Sequence, residues 1–271
     1  MMRWPMLGGV SHTLRVESAR SQNVSFDNYS KATAGLLMLK FLGIGAQKCG
    51  TTWLYHALSR HPSVAFPGGK EVHFWDVHRA RGLAWYSDIF SDATRTNGDI
   101  TPAYSFLPLD VIREVGAFAP DLRLIYMIRD PRERAWSSAR MALARAEMTH
   151  EEASDEWFID HFRSSGSLGR GDYESCIRNW RSVFGAERLL VVRYESLAED
   201  AVAVANCCLA HLGVSGARFG EEDRAVLQER KFEGDGVPLR PSLRRILDAL
   251  YSERVSSLGR YLGEDFSAWQ S

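Results

Sequence analysis

The sequence predicts a single α/β domain built on a central parallel sheet. From Leu39 onward, short apolar runs alternate with amphipathic segments, the pattern of buried strands joined by covering helices. A glycine-rich turn, "GIGAQKCG", leads from the first apolar run into a helical segment, as anion-binding loops of α/β proteins do. The composition agrees: 271 residues, 45% apolar and 25% charged, with formal net charge −1, give an ordinary globular chain able to bury a large core.

Residues 1–37 are polar and show no sustained period, so they are read as a poorly ordered extension, or as upstream sequence if Met38 is the natural start, with 38–271 as the folded domain. "LKFLGIGA" reads as the first buried strand and "TTWLYHALSRH" as the helix after it. "LRLIYMI" is a second strand, stopped by "RDP". Asp130 suits an N-cap and Pro131 a first helical position, so a helix is expected through "RERAWSSARMALARAE". "DYESCIRNWRSVFG" is a helix closed by Gly185, "RLLVVRY" a third strand, and "AVAVANCCLAHLG" another helix. After a loop around "KFEGDGVPLRP", two short helices are expected to finish the chain.

Several classes of function are disfavoured. Near-neutral charge weighs against nucleic acid as the main partner. No apolar run approaches the ~18 to 20 residues of a membrane span, and the first residues lack a signal-peptide core. The four cysteines, Cys49, Cys176, Cys207 and Cys208, form neither a disulfide framework nor a metal-ligand spacing, which suits a reducing cytoplasm.

The loop itself departs from a nucleoside-triphosphate loop. A G-x-x-x-x-G-K-[ST] pattern beginning at Gly45 and closing on Gly50 would place lysine at position 51, where the chain has Thr51. Its lysine, Lys48, lies inside the loop instead. Such a turn still offers successive backbone N–H groups to an anion, with Thr51 and Thr52 hydroxyls at the helix start. The missing lysine argues against ATP with magnesium. A chance glycine-rich turn is the bland alternative.

These residues resemble the 5′-phosphosulfate loop of sulfotransferases, whose pattern is close to P-K-x-G-T-T-W; Gln47 stands in place of the common proline. The resemblance implies a P-loop-like nucleotide-binding fold and 3′-phosphoadenosine 5′-phosphosulfate (PAPS) as sulfonate donor, with PAP as product. It implies that Gln47, Lys48, Cys49, Gly50, Thr51 and Thr52 line the phosphosulfate and that Trp53 stacks on adenine, although a lone tryptophan is more often a core aromatic than a nucleotide platform. "IRDPRERAWSS" places Arg129 at the carboxyl end of a strand, where α/β ligands sit, and Ser137 eight residues on. An arginine and a serine at that spacing resemble the family's 3′-phosphate motif. Tyr194 in "VVRYESL" resembles a tyrosine that touches adenine in the cytosolic branch, or it is a strand-end packing residue. Lys231 and Arg240 stand roughly where the family places a basic loop over the cofactor, without the motif itself.

On the acceptor side, "KEVHFWD" would as a strand point Glu71 and His73 to one face and Val72 and Phe74 to the other. The stretch resembles the E-V-H-F-F-D segment of heparan sulfate glucosaminyl O-sulfotransferases. The resemblance implies Glu71 as catalytic base, supported by His73 and Asp76, with Lys48 meeting charge on the leaving group. No metal is then required. "DITPAYSF" resembles the next family block, E-K-T-P-A-Y-F, but Ile100 replaces its lysine, and no cysteine follows Cys208 to form that branch's C-terminal disulfide. The implied activity is sulfonate transfer to an acceptor hydroxyl. Carbohydrate comes first by resemblance; near-zero net charge does not favour a long polyanion, so a smaller glycan, a lipid or another small molecule stands equally. A P-loop kinase and a catalytically silent nucleotide-binding protein are the alternatives.

Overall fold

Among the described residues, five parallel strands form one sheet in the order β2-β3-β1-β4-β5. They are β1 (Leu39–Gly45), β2 (Val64–Ala65), β3 (Thr96–Ile100), β4 (Arg123–Ile128) and β5 (Leu189–Arg193). The computed structural model describes residues 38–216, 218–228 and 237–270. The 1–37 extension and Lys231 lie outside the described residues. Helices are α1 (Thr51–Ser59), α2 (Gly82–Ile89), α3 (Leu109–Phe118), α4 (Pro131–Arg145), α5 (Asp155–Arg163), α6 (Ser165–Arg170), α7 (Tyr173–Phe184), α8 (Ser196–His211), α9 (Arg224–Gln228) and α10 (Pro241–Leu262).

Central strands β1 and β4 are buried almost end to end, because helices cover both faces of a parallel sheet and leave no side for water. One large core cluster spans the sheet and its covering helices. A second joins α4, α5 and α10 through Trp136, Phe158, Leu243, Leu247 and Tyr251. The strand order reverses at β1, with β3 on one side and β4 on the other, so the loop leaving β1 opens at the switch point where α/β proteins place ligands.

The three expected strands and the helices after them form where the apolar pattern places them. Asp130 caps α4 as expected, its carboxylate accepting the Arg132 backbone N–H at 2.9 Å. Strands β2 and β3 were not anticipated, and two expectations are corrected. β3, "TNGDI", carries no apolar period because Asn97 and Asp99 are buried there with hydrogen-bond partners. The chain finishes in one 22-residue helix, α10, followed by a single short turn at Ser267–Trp269, rather than two short helices. Leu243, Leu247, Tyr251 and Val255 recur every four residues along it and keep one face buried. Residues 71–73 form no strand, for reasons given with the site.

Candidate active site

β1 delivers the chain into the loop at Gly45, where φ is +136° and an added Cβ would lie 2.7 Å from the Pro102 carbonyl oxygen. The Ala46 N–H donates to the Met127 carbonyl at 2.7 Å, fastening the loop to β4. Gly50 has φ +87°, and an added Cβ would meet Tyr194 Cδ2 at 2.6 Å. Glycine is therefore required twice over at position 50, by conformation and by space. Cys49 turns into the core, 3.6 Å from the Tyr173 hydroxyl, and burial pushes its thiol up to about 11. Gln47 and Lys48 are half-buried at the loop, Thr51 is buried and Thr52 half-buried.

At the start of α1 no side chain among the described residues caps the backbone, and the first turn holds no acid. Its N–H groups and positive dipole end are thus left for an anion. Lys48 sits with φ +70° just before it. Burial, and then the charges of Arg140, Arg129, Arg145 and Lys70, hold the Lys48 ammonium below its usual range. Cations gathered in this way repel one another and are relieved by a polyanion. The donor set fits a nucleotide bearing a phosphosulfate and a second phosphate.

Arg129 leaves the end of β4 with its guanidinium 4.9 Å from the Tyr194 ring centroid and 3.3 Å from Glu133 Oε2. The Tyr173 hydroxyl donates to the Arg129 carbonyl at 2.8 Å, and the Asp130 N–H donates to Glu195 Oε1 at 3.1 Å. The "YE" pair at the end of β5 therefore braces the "RD" pair, and Tyr194 joins Arg129 to Gly50. Along α4, Glu133, Ser137 and Arg140 recur at helical spacing and share a face. Ser137 is half-exposed on that face, whereas Ser138 is buried with its hydroxyl 3.2 Å from His161 Nε2. Trp53 donates its indole N–H to the Leu227 carbonyl at 2.7 Å and lines a surface cavity with His56, Arg60 and Val226. Arg240 is engaged elsewhere: its guanidinium binds Asp155 at 2.7 Å and the Ala153 carbonyl at 2.9 Å.

Glu71, His73 and Asp76 do come together. His73 Nε2 lies 3.0 Å from Glu71 Oε2 and Nδ1 lies 2.9 Å from Asp76 Oδ2, while Lys70 Nζ donates to Glu71 Oε1 at 2.7 Å. Burial disfavours the imidazolium, but the Asp76 hydrogen bond and the two carboxylate charges outweigh it, so the His73 pKa is raised. The expected strand is absent because His73 adopts a left-handed conformation, φ 56° and ψ 29°. Its segment bonds to side-chain hydroxyls instead of a ladder: the Val72 and His73 N–H groups donate to Thr101 Oγ1 at 3.1 and 3.3 Å, and the Phe74 N–H to the Tyr104 hydroxyl at 2.9 Å. Val72 and Phe74 still pack inward, as alternation suggested. Ile100 is wholly buried over Gly43, so position 100 supplies no cation, and Lys70 stands beside Glu71.

Sequence reasoning missed Lys70, Arg140 and Arg145 as part of the charged surroundings of Lys48, and Thr101 and Tyr104 as supports of the 72–74 backbone. Arg140 was within reach, being one helical turn beyond Ser137 on the same face.

The chain belongs to the sulfotransferase domain family, whose model matches residues 40–233. Among curated relatives, heparan sulfate glucosamine 3-O-sulfotransferase 3B1 of Mus musculus is 31% identical over 168 residues, covering 58% of this chain and 41% of that one. The membrane-associated sulfotransferase kil1 of Dictyostelium discoideum is 31% identical over 113 residues, covering 40% and 24%. The matched segments thus span well under half of these relatives' lengths. Among solved structures, a sulfotransferase from Alicyclobacillus acidocaldarius matches with TM-score 0.66 at 26% identity, over 86% of this chain and 99% of that one. A mouse sulfotransferase complexed with PAP shares the fold, with TM-score 0.53 at 16% identity over 86% and 92% of the two chains. Among the described residues, no helix is long and apolar enough to cross a membrane.

Proposed function

We propose that the chain transfers a sulfonate group from PAPS to an acceptor hydroxyl, with Glu71 as base. One observation carries this: the segment bearing Glu71 is bonded through the Val72 N–H to Thr101 Oγ1 at 3.1 Å, and the Thr101 N–H donates at 3.0 Å to the Gly43 carbonyl of the strand that enters the loop. The helix start after that loop is left without a side-chain cap among the described residues. A cationic anion cradle therefore lies next to a carboxylate able to take a proton.

When bound, PAPS supplies the sulfonate and departs as PAP. Lys48 and the N–H groups at the start of α1 hold the phosphosulfate and meet the charge that grows on the departing phosphate oxygen; one such donor contributes ~10² to 10³ in rate. Arg129, with Ser137 and Arg140 on the adjoining face of α4, takes the 3′-phosphate. Tyr194 and the cavity beside Trp53 receive the adenine end. Glu71 uses one oxygen on Lys70 and the other on His73, and each oxygen keeps a lone pair for the acceptor O–H proton. His73, held at both nitrogens, fixes the carboxylate, and Asp76 fixes His73. The acceptor is a glycan hydroxyl by kinship with the heparan sulfate relatives.

Incubation with labelled PAPS and a panel of hydroxylated saccharides, glycolipids and small phenols tests this. Label should reach an acceptor with the wild-type chain and fall by ~10² or more with Lys48→Ala. Equal labelling by the folded Lys48→Ala variant would contradict it.

A further inference from the structure

Asp99 lies on β3, fully buried, beneath the segment that carries Glu71 and His73. Three hydroxyls converge on its carboxylate: Thr101 Oγ1 donates to Oδ1 at 2.7 Å, and the Tyr104 and Tyr86 hydroxyls donate to Oδ2, each at 2.9 Å. Burial raises the Asp99 pKa, and the three hydroxyl donors oppose that rise by favouring the charged form. As a carboxylate it only accepts, so each hydroxyl turns its single proton toward Asp99 and leaves its lone pairs outward. Two of them present those lone pairs to the backbone N–H groups of Val72, His73 and Phe74. Burial, followed by the Asp99 charge, raises the Tyr104 and Tyr86 phenols well above their usual range, so both remain O–H donors.

We propose that Asp99 is a positioning residue for Glu71 and His73: acting through the hydroxyls of Thr101 and Tyr104, it fixes the backbone turn that holds both. Three consecutive N–H groups are occupied on one side of the chain. This holds His73 in a left-handed conformation that a residue with a Cβ otherwise avoids. From that turn the imidazole reaches Glu71 on one nitrogen and Asp76 on the other. The relay is also tied to the donor loop. Asp99 pairs with Leu42 of β1, the Thr101 N–H donates to the Gly43 carbonyl at 3.0 Å, and the Pro102 carbonyl closes over Gly45. One rigid strand pair thus sets the distance between the anion cradle and the base. Displacement of about 1 Å in such a geometry costs roughly 10²-fold in rate.

The proposal rests on the assignment of Glu71 as base, and its test separates the two. Thr101→Val removes the relay hydroxyl without changing charge, Thr101→Ser keeps it, and Tyr104→Phe and Asp99→Asn interrupt it at other points. Two readouts apply: kcat and KM with labelled PAPS, and the NMR titration of the His73 ring. The charged groups around that ring are Glu71 and Asp76, with Lys70 on Glu71 and Arg170 acting on Asp76. None is altered in Thr101→Val.

Thr101→Val should lower kcat ~10- to 100-fold, with PAP affinity within about threefold, a change of under 1 kcal/mol. It should also move the His73 midpoint down toward the ordinary ~6.5, as the carboxylates drift away. Thr101→Ser should restore both values. Asp99→Asn combined with Thr101→Val should be little worse than either alone, because both break one path. If Thr101→Val fails to fold, Tyr104→Phe must show the same pair of changes. A folded Thr101→Val or Tyr104→Phe variant with wild-type kcat and His73 midpoint, only less heat-stable, would overturn the proposal and leave Asp99 a core carboxylate. A wild-type chain that transfers no sulfonate would sink the functional assignment, yet the ring titration would still decide whether the relay holds the turn.

Discussion

Gly50→Ala should damage the loop by an amount that can be worked from its surroundings. With φ +87°, an alanine there pays the left-handed penalty of ~1 to 2 kcal/mol. Its Cβ would also lie 2.6 Å from Tyr194 Cδ2 and 3.2 Å from Met127 Cε, contacts that force repacking at a further ~1 to 3 kcal/mol. The cheapest escape rotates the half-exposed Tyr194 ring away, which breaks its contact with Arg129. Gly213→Ala is the matched control: φ is +67° there and nothing among the described residues lies within 4 Å of the added Cβ. Calorimetric melting should show Gly213→Ala losing a few degrees and Gly50→Ala on the order of 10 °C, at ~2 to 4 °C per kcal/mol for a chain of this size. PAP affinity should fall at least about tenfold, or ~1.4 kcal/mol, for Gly50→Ala alone. Equal melting losses for the two variants, with wild-type PAP affinity in both, would refute the reasoning.

Arg129→Ala should weaken PAP by ~1.5 to 3 kcal/mol while leaving AMP nearly untouched, because only PAP carries the 3′-phosphate; equal losses by calorimetry would make Arg129 structural. Glu71→Gln should lower turnover by ~10² to 10⁴ with PAP binding retained. His73→Asn should be the milder lesion, and the reverse order would make His73 the base. The raised His73 pKa also predicts a pH-dependent stability. The imidazolium contribution is fully present below the unfolded value of ~6.5 and is lost as pH rises through the folded value. The stability gap between wild type and His73→Asn, measured by urea unfolding, should therefore narrow as pH is raised from 6 to 9, and a gap that widens would contradict the carboxylate contacts.

Much of the frame was legible because strands β1, β4 and β5 are apolar runs bounded by glycine or by "RDP", signals that act locally. β3 was not, since its burial depends on side-chain hydrogen bonds of Asn97 and Asp99, to Met38, Asp92 and Thr101, that apolar alternation does not encode. The loop was legible as a glycine-rich turn between a strand and a helix, and the roles expected of its residues and of Arg129 came from their resemblance to the family motifs. Glu71 and His73 were expected together on a strand face; they meet through a left-handed turn whose hydrogen bonds come from Thr101 and Tyr104. Periodicity carries no trace of such a turn. Arg140, Arg145 and Lys70 gather near Lys48 only once the chain is folded.

The central claim is that the loop from Gly45 to Trp53 is built for a phosphosulfate nucleotide. The most direct measurement is titration calorimetry of the full chain with PAP and, separately, with ATP plus magnesium, each repeated with Lys48→Ala. PAP should bind at least about tenfold tighter than ATP with magnesium, a difference of ~1.4 kcal/mol, and Lys48→Ala should weaken PAP. Tighter binding of ATP with magnesium, or PAP binding indifferent to Lys48, would contradict the account.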